Sequence, residues 1–181
     1  PDLSTLTAMF SACAVHGTAG LPYANEIFRQ LEMDMASARK QLHAMAVADD
    51  AVVSVAQGNP NLQGELLAAY SSYMKVLVES GDPAGAERVV GLAKRSGLTP
   101  DIVMMTSLMK AHIKVGDTRG AWREWILMPR RGVEPDAVAY ATVINMCAAK
   151  GELERVFSLW DQMHQMKVEP TPHLYNTIIR E

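Results

Sequence analysis

"GVEPDAVAYATVI" (132–144) sets a Pro-Asp stop directly against a new apolar run. The same punctuation returns at a fixed distance: "GLTPDIVMMTSLM" begins at Gly97 and "KVEPTPHLYNTII" at Lys167, so successive starts lie 35 residues apart. Other positions keep this register. Gly81, Gly116 and Gly151 follow it, as do Tyr70, Met105, Tyr140 and Tyr175, the trio Ala93, Met128 and Met163, and the pair Trp125 and Trp160. A fixed period of about 20–50 residues marks stacked supersecondary units, each too small to bury its apolar side alone.

The grammar of one unit is clearest between Asp136 and Thr171. Tyr140, Val143, Ile144 and Cys147 fall at i, i+3, i+4 and i+7, which places them on one face of a helix. Gly151 ends that helix, because glycine takes a left-handed C-terminal conformation at little cost. A second helix follows through "ELERVFSLWDQMHQM", with Leu153, Val156, Phe157, Trp160 and Met163 on one side. Pro170 then stops the ladder and pushes Glu169 toward extended backbone. The preceding unit repeats this pattern, and Pro129 near the end of its second helix is expected to shorten or distort it.

The register divides the chain into units at 67–101, 102–136 and 137–171, with the first helix of a further unit at 172–181. An N-terminal unit at 1–31 has the same kind of first helix, "LSTLTAMFSACAVHG", but an irregular close. Residues 32–66 leave the register and read as one long, partly amphipathic helix broken by "GNPN", either a degenerate unit or an insertion. The opening Pro1-Asp2 is the dipeptide that closes later units, as in a piece of a longer protein. The helix "HLYNTIIRE" lacks a partner, so its apolar side needs a cover from further sequence or another chain.

Composition narrows the function. Apolar residues make up 49% of the 181 and charged residues 20%, enough for a continuous core, and no apolar run reaches the length of a membrane span. The net charge of −3 argues mildly against a general polyanion binder. Cys13 and Cys147 are isolated thiols on apolar faces, expected as buried structural cysteines in a reducing compartment. His16, His43, His112, His164 and His173 show no metal-ligand spacing, and no phosphate-loop pattern is present. Asp49 and Asp50 read as a solvated acidic pair. Met104, Met105 and Met109 suit helix packing, as do Trp122, Trp125 and Trp160 on second helices. No catalytic constellation, cofactor, metal site or small-molecule substrate is expected in the chain.

A 35-residue helix-turn-helix with Tyr at its fourth position, Gly between the helices and a G-V-x-P-D close resembles the pentatricopeptide repeat family. The resemblance covers 67–181 well and 1–31 moderately; the W-x2-L-G-x2-Y pattern of the 34-residue tetratricopeptide family is absent. It implies an all-α, right-handed α-solenoid. It also implies a binder of single-stranded RNA in a mitochondrion or chloroplast, acting in RNA processing, stability or translation at about one base per repeat. By the same resemblance, a polar side chain early in the first helix reads a base together with the last residue of the unit. The positions are Ser71 with Asp101, Thr106 with Asp136, and Ala141 with Thr171, then Asn176. Thr106 and Asp136 resemble a guanine reader, whereas Ala141 has no hydrogen-bonding group and departs from the pattern. Val103 and Val138 match residues that sandwich bases, with Ala68 and His173 less typical. Lys75, Lys110, Lys114 and Lys150 are candidate phosphate contacts, although a cation near a helix C-terminus also complements the helix dipole. Two other roles fit such a chain: a scaffold gripping protein subunits of a large organellar assembly such as a ribosome, and an RNA-targeting arm fused to a processing enzyme.

Overall fold

The computed structural model describes residues 3–45 and 60–180. All regular structure among them is helical, and no strand occurs there. The helices are α1 (Leu3–Val15), a 3-10 turn (Gly17–Gly20), α2 (Leu21–Met45), α3 (Pro60–Ser80), α4 (Pro83–Arg95), α5 (Ile102–Lys114), α6 (Thr118–Arg130), α7 (Ala137–Ala148), α8 (Leu153–Gln165) and α9 (Pro172–Arg180). No helix of the described residues is long and apolar enough to cross a membrane. They fall into two compact units, Pro1–Pro100 and Asp101–Glu181.

In the second unit the two-helix grammar is realised twice. Helix α6 packs on α5 and α8 on α7, while the first helices α5, α7 and α9 lie side by side. That layering is the α-solenoid arrangement: each pair buries one side on its partner helix and another on the next pair. The core is built from the periodic positions. Met104, Met105 and Met109 are buried on α5, Tyr140, Val143, Ile144 and Cys147 on α7, and Trp125 on α6 meets Tyr140 edge-on at 4.9 Å between ring centroids. The methionines therefore serve as packing.

Capping residues set the helix starts. Asp101, Asp117 and Asp136 each accept a hydrogen bond from the backbone N–H three residues on, at 2.8–2.9 Å. Pro129 lies inside α6 without shortening it: α6 and α8 both have 13 residues. The proline falls in the last turn, so its missing N–H removes only one bond of the ladder near its end, and the Arg131 N–H still closes the helix on Leu127 and Met128.

The first unit has a different make-up. Helix α1 packs chiefly on α3, α4 also packs on α3, and α2 packs on both α1 and α3. An aromatic cluster of Phe10, Phe28, Tyr70 and Tyr73 joins them, with Phe28 stacked on Tyr73 at 4.2 Å. The Tyr73 hydroxyl donates to Asn25 Oδ1. The irregular close expected at 31 is a continuation: α2 runs without interruption to Met45. Asp49, Asp50 and the stretch up to Asn59 lie outside the described residues. Cys147 is buried as expected, whereas Cys13 is only half-buried.

Candidate nucleic-acid interface

Spacing on α5 puts Val103, Thr106, Lys110 and Lys114 at i, i+3, i+7 and i+11, one stripe along the helix. Val138, Ala141 and Asn145 form the matching stripe on α7. The two stripes are neighbours because α5 and α7 pack side by side. Their surfaces repeat as well: Val103 and Val138 are each 47% exposed, an unusual display for β-branched apolar residues.

The N-terminal ends of these helices hold the paired positions. Asp101 and Asp136 use one carboxylate oxygen to cap α5 and α7, and Thr171 Oγ1 accepts from Leu174 N at 3.4 Å at the start of α9. A carboxylate fixed in this way sits at the positive end of a helix dipole. Asp101 is half-buried, Asp136 exposed and Thr171 half-buried.

Thr106 differs from its counterparts. It is 5% exposed, and its Oγ1 is buried without a hydrogen-bond partner. A buried hydroxyl left unsatisfied is costly, and here it faces the interior instead of the open stripe. Ser71 and Ala141 are half-buried and Asn176 is exposed.

The cations sit along the same helices. Lys75 on α3 and Lys110 on α5 occupy the same register position and both are exposed. Lys114 and Lys150 are also exposed, but Lys150 Nζ donates to Thr118 Oγ1 at 2.9 Å, tying the turn after α7 to the start of α6. Sequence spacing had not paired these two. Asn145, which takes the register position of Lys110, accepts from Thr177 Oγ1 at 2.9 Å and links α7 to α9. Chemically the stripe offers an apolar lip and a carboxylate at one end, and ammonium groups further along.

No group of three or more metal-ligating side chains is placed to hold an ion among the described residues. His112 Nδ1 lies 2.8 Å from Asp117 Oδ2, and the Gly120 N–H, then the His112 ring, hold the Asp117 carboxyl below the usual range. This pair braces the α5–α6 turn. Sequence reading treated His112 as one scattered histidine; its register mates Leu77 and Cys147 are core residues, and that was the available signal.

A model of the PPR repeat family matches residues 100–149 and 135–181. Among solved structures, the chain is similar to the pentatricopeptide repeat protein PPR10 in complex with an 18-nt psaJ RNA element, at a TM-score of 0.72 and 21% identity over 99% of this chain. PPR10 from maize in another crystal structure matches at a TM-score of 0.53 and 22% identity over 98% of the chain and 26% of that structure. The PPR domain of Arabidopsis thaliana protein-only RNase P 1 in complex with tRNA matches at 0.54 and 14% identity, over 84% of this chain and 96% of that one. This chain spans 22% of the length of the RNA-bound PPR10. No curated protein matches it.

Proposed function

We propose that this chain, whose residues 100–181 match the PPR repeat family, is a single-stranded RNA-binding module of an organellar protein acting in RNA processing, stability or translation. The adjacent stripes of α5 and α7 carry this conclusion: Val103 and Val138 stand out at equal exposure, each on a helix whose first turn is capped by an aspartate. A base held between the two valines would bring its edge toward Thr106 and Asp136. A hydroxyl and a carboxylate together suit an edge rich in N–H donors, as guanine presents. Ala141 with Thr171 contributes contact without comparable readout. Lys75, Lys110 and Lys114 supply phosphate contacts that position the strand without reading it, whereas Lys150 is tied to Thr118. Any catalysis belongs to a fused or associated domain.

The test is retention of RNA from a randomised single-stranded pool at two salt concentrations, followed by sequencing. Enrichment of a short motif with guanine at one position, lost in Thr106→Ala, is the expected result. Asp136→Ala removes both recognition and the cap of α7, so Asp136→Asn is the sharper variant. Asn caps as well as Asp but adds an amide donor, so it keeps the helix and changes the selected base. If neither threonine nor aspartate substitution alters the selected sequence, the stripes do not read bases.

One observation favours the scaffold role as a second reading. Lys150 is committed to Thr118 within the protein, on a chain of net charge −3. Absence of any retained RNA at low salt would move the assignment to protein subunits of an organellar assembly.

A further inference from the structure

Helices α6 and α8 leave a groove between them on the side formed by second helices, away from the stripes of α5 and α7. Its volume is about 450 Å³, and Trp125, Ile126, Pro129, Tyr140, Gln162 and Met166 line it. Ile126 is 53% exposed and Met166 56% exposed, so the apolar lining is open to solvent. Exposed arginines run along α6 beside this lining without forming part of it. On α6, Arg119, Arg123, Ile126 and Arg130 fall at i, i+4, i+7 and i+11; on α8, Arg155 and Gln162 fall at i and i+7, with Met166 next on the same line. Arg155 closes one end, its guanidinium over the Trp122 ring at 5.4 Å.

This face is peculiar to α6. The register mates of Ile126 are Gly91 and Asp161, those of Pro129 are Lys94 and His164, and those of Arg119 are Ala84 and Glu154. Helix α8 therefore has neither the apolar lining nor the arginine row, whereas α4 keeps arginines at two of the positions, Arg88 and Arg95, but lacks the apolar lining between them. Between Thr118 and Arg131 there are four arginines and one acid, Glu124. That acid is buried and bonded by Arg131 at 2.7 Å and Arg123 at 3.1 Å, so its charge is spent inside the fold. What α6 shows to solvent is cationic and apolar together.

We propose that the α6–α8 groove is a docking surface for an acidic amphipathic helix of a partner protein. The apolar side of such a helix would enter between Ile126, Pro129 and Met166, the helix-in-groove mode, while its carboxylates meet Arg119 and Arg130. Eleven residues of α8 separate Arg155 from Met166, a wall of about 16 Å, or three turns of a docked helix. An RNA strand fits less well: its phosphates match the arginines, but the aromatic rings of the floor, Trp125 and Tyr140, are buried against each other edge-on and offer a base no open stacking face, and Glu134 also lines the groove. The apolar floor supplies affinity; the arginine row sets orientation and encounter rate.

The test uses the full chain and a fluorescein-labelled helical peptide of about 18 residues, with leucines at i, i+3, i+4 and i+7 spacing and glutamates elsewhere. A scrambled peptide of equal composition and a mixed-sequence single-stranded RNA oligonucleotide serve as comparisons, all followed by fluorescence anisotropy. Saturable binding of the patterned peptide is expected, at least about tenfold tighter than the scrambled one. Ile126→Asp with Pro129→His installs residues that α8 carries at these positions, so the helix tolerates them, and it should weaken the peptide at least about tenfold. Arg119→Glu with Arg130→Glu, on the surface of the same helix, should do likewise and leave RNA binding unchanged. Equal binding of the two peptides, absence of saturable binding, or unchanged affinity in both double variants overturns the proposal. Displacement of the peptide by the RNA assigns the face to nucleic acid and overturns it as well.

Discussion

Lys167 stands at the register position of Gly97 and Gly132, and all three have left-handed backbone, with φ of 56°, 74° and 74°. Glycine meets that conformation without a Cβ clash, whereas a lysine there is strained. Lys167→Gly should therefore stabilise the α8 end by about 1 kcal/mol, raising the melting midpoint by about 2–4 °C in a thermal scan. A lowered midpoint would mean that the side chain of Lys167 contributes more than its backbone costs. Both the stop and its spacing were visible in the sequence, since "GLTPD", "GVEPD" and "KVEPT" align. What alignment hid was that Thr106 turns inward while Val103, one turn earlier on the same stripe, stays out. A three-residue spacing fixes the stripe but leaves a difference of about 60° in direction, enough to decide burial at the edge of a packed face.

At the scale of the element, α5 and α6 show how polar groups enter a repeat core. Glu124 occupies the position of Val89 and Leu159, and Arg131, which neutralises it, also donates to Met105 Sδ at 3.4 Å. Replacing one partner alone would leave a buried charge, so the pair behaves as one unit. Helix α3 supplies a measurable counterpart in the first unit. Burial, more than any charge, pushes the Tyr73 phenol up to about 12. Below about pH 10 the phenol is protonated in both the folded and unfolded chain; above it the unfolded chain ionises first, so stability falls between about pH 10 and 12. The loss attributable to this group is about 2–3 kcal/mol. Urea midpoints measured at pH 9 and pH 11 should converge in Tyr73→Phe relative to the parent chain. They should not coincide, since burial also raises Tyr70 and Tyr140. An undiminished pH dependence in the variant would place the alkaline sensitivity elsewhere.

For the whole molecule, the balance of charge bears on how it binds. A net charge of −3 and a pI near 6.0 leave RNA affinity to a few placed cations instead of a general field. Each phosphate neutralised on a single strand contributes about 0.7 to the slope of log affinity against log salt. Lys110→Ala and Lys114→Ala should each lower that slope by about this amount and weaken all sequences alike, in contrast to Thr106→Ala. A slope that stays constant through both substitutions would remove these lysines from the RNA path.

The 35-residue register and the helix pairs of 102–171 follow from sequence alone, because period and glycine and proline chemistry are local properties of the chain. The irregular first unit was legible only in part. Its helix α2 passes the expected close at 31 because nothing up to Met45 is a glycine or proline, and only packing on α1 and α3 shows which of its residues belong to the core. Tertiary structure alone decided the inward Thr106 hydroxyl, the Lys150–Thr118 tie, the Glu124–Arg131 pair and the groove between α6 and α8. Each of these joins side chains whose separation and direction depend on how two helices meet, and periodicity along one helix carries no information about the gap to the next.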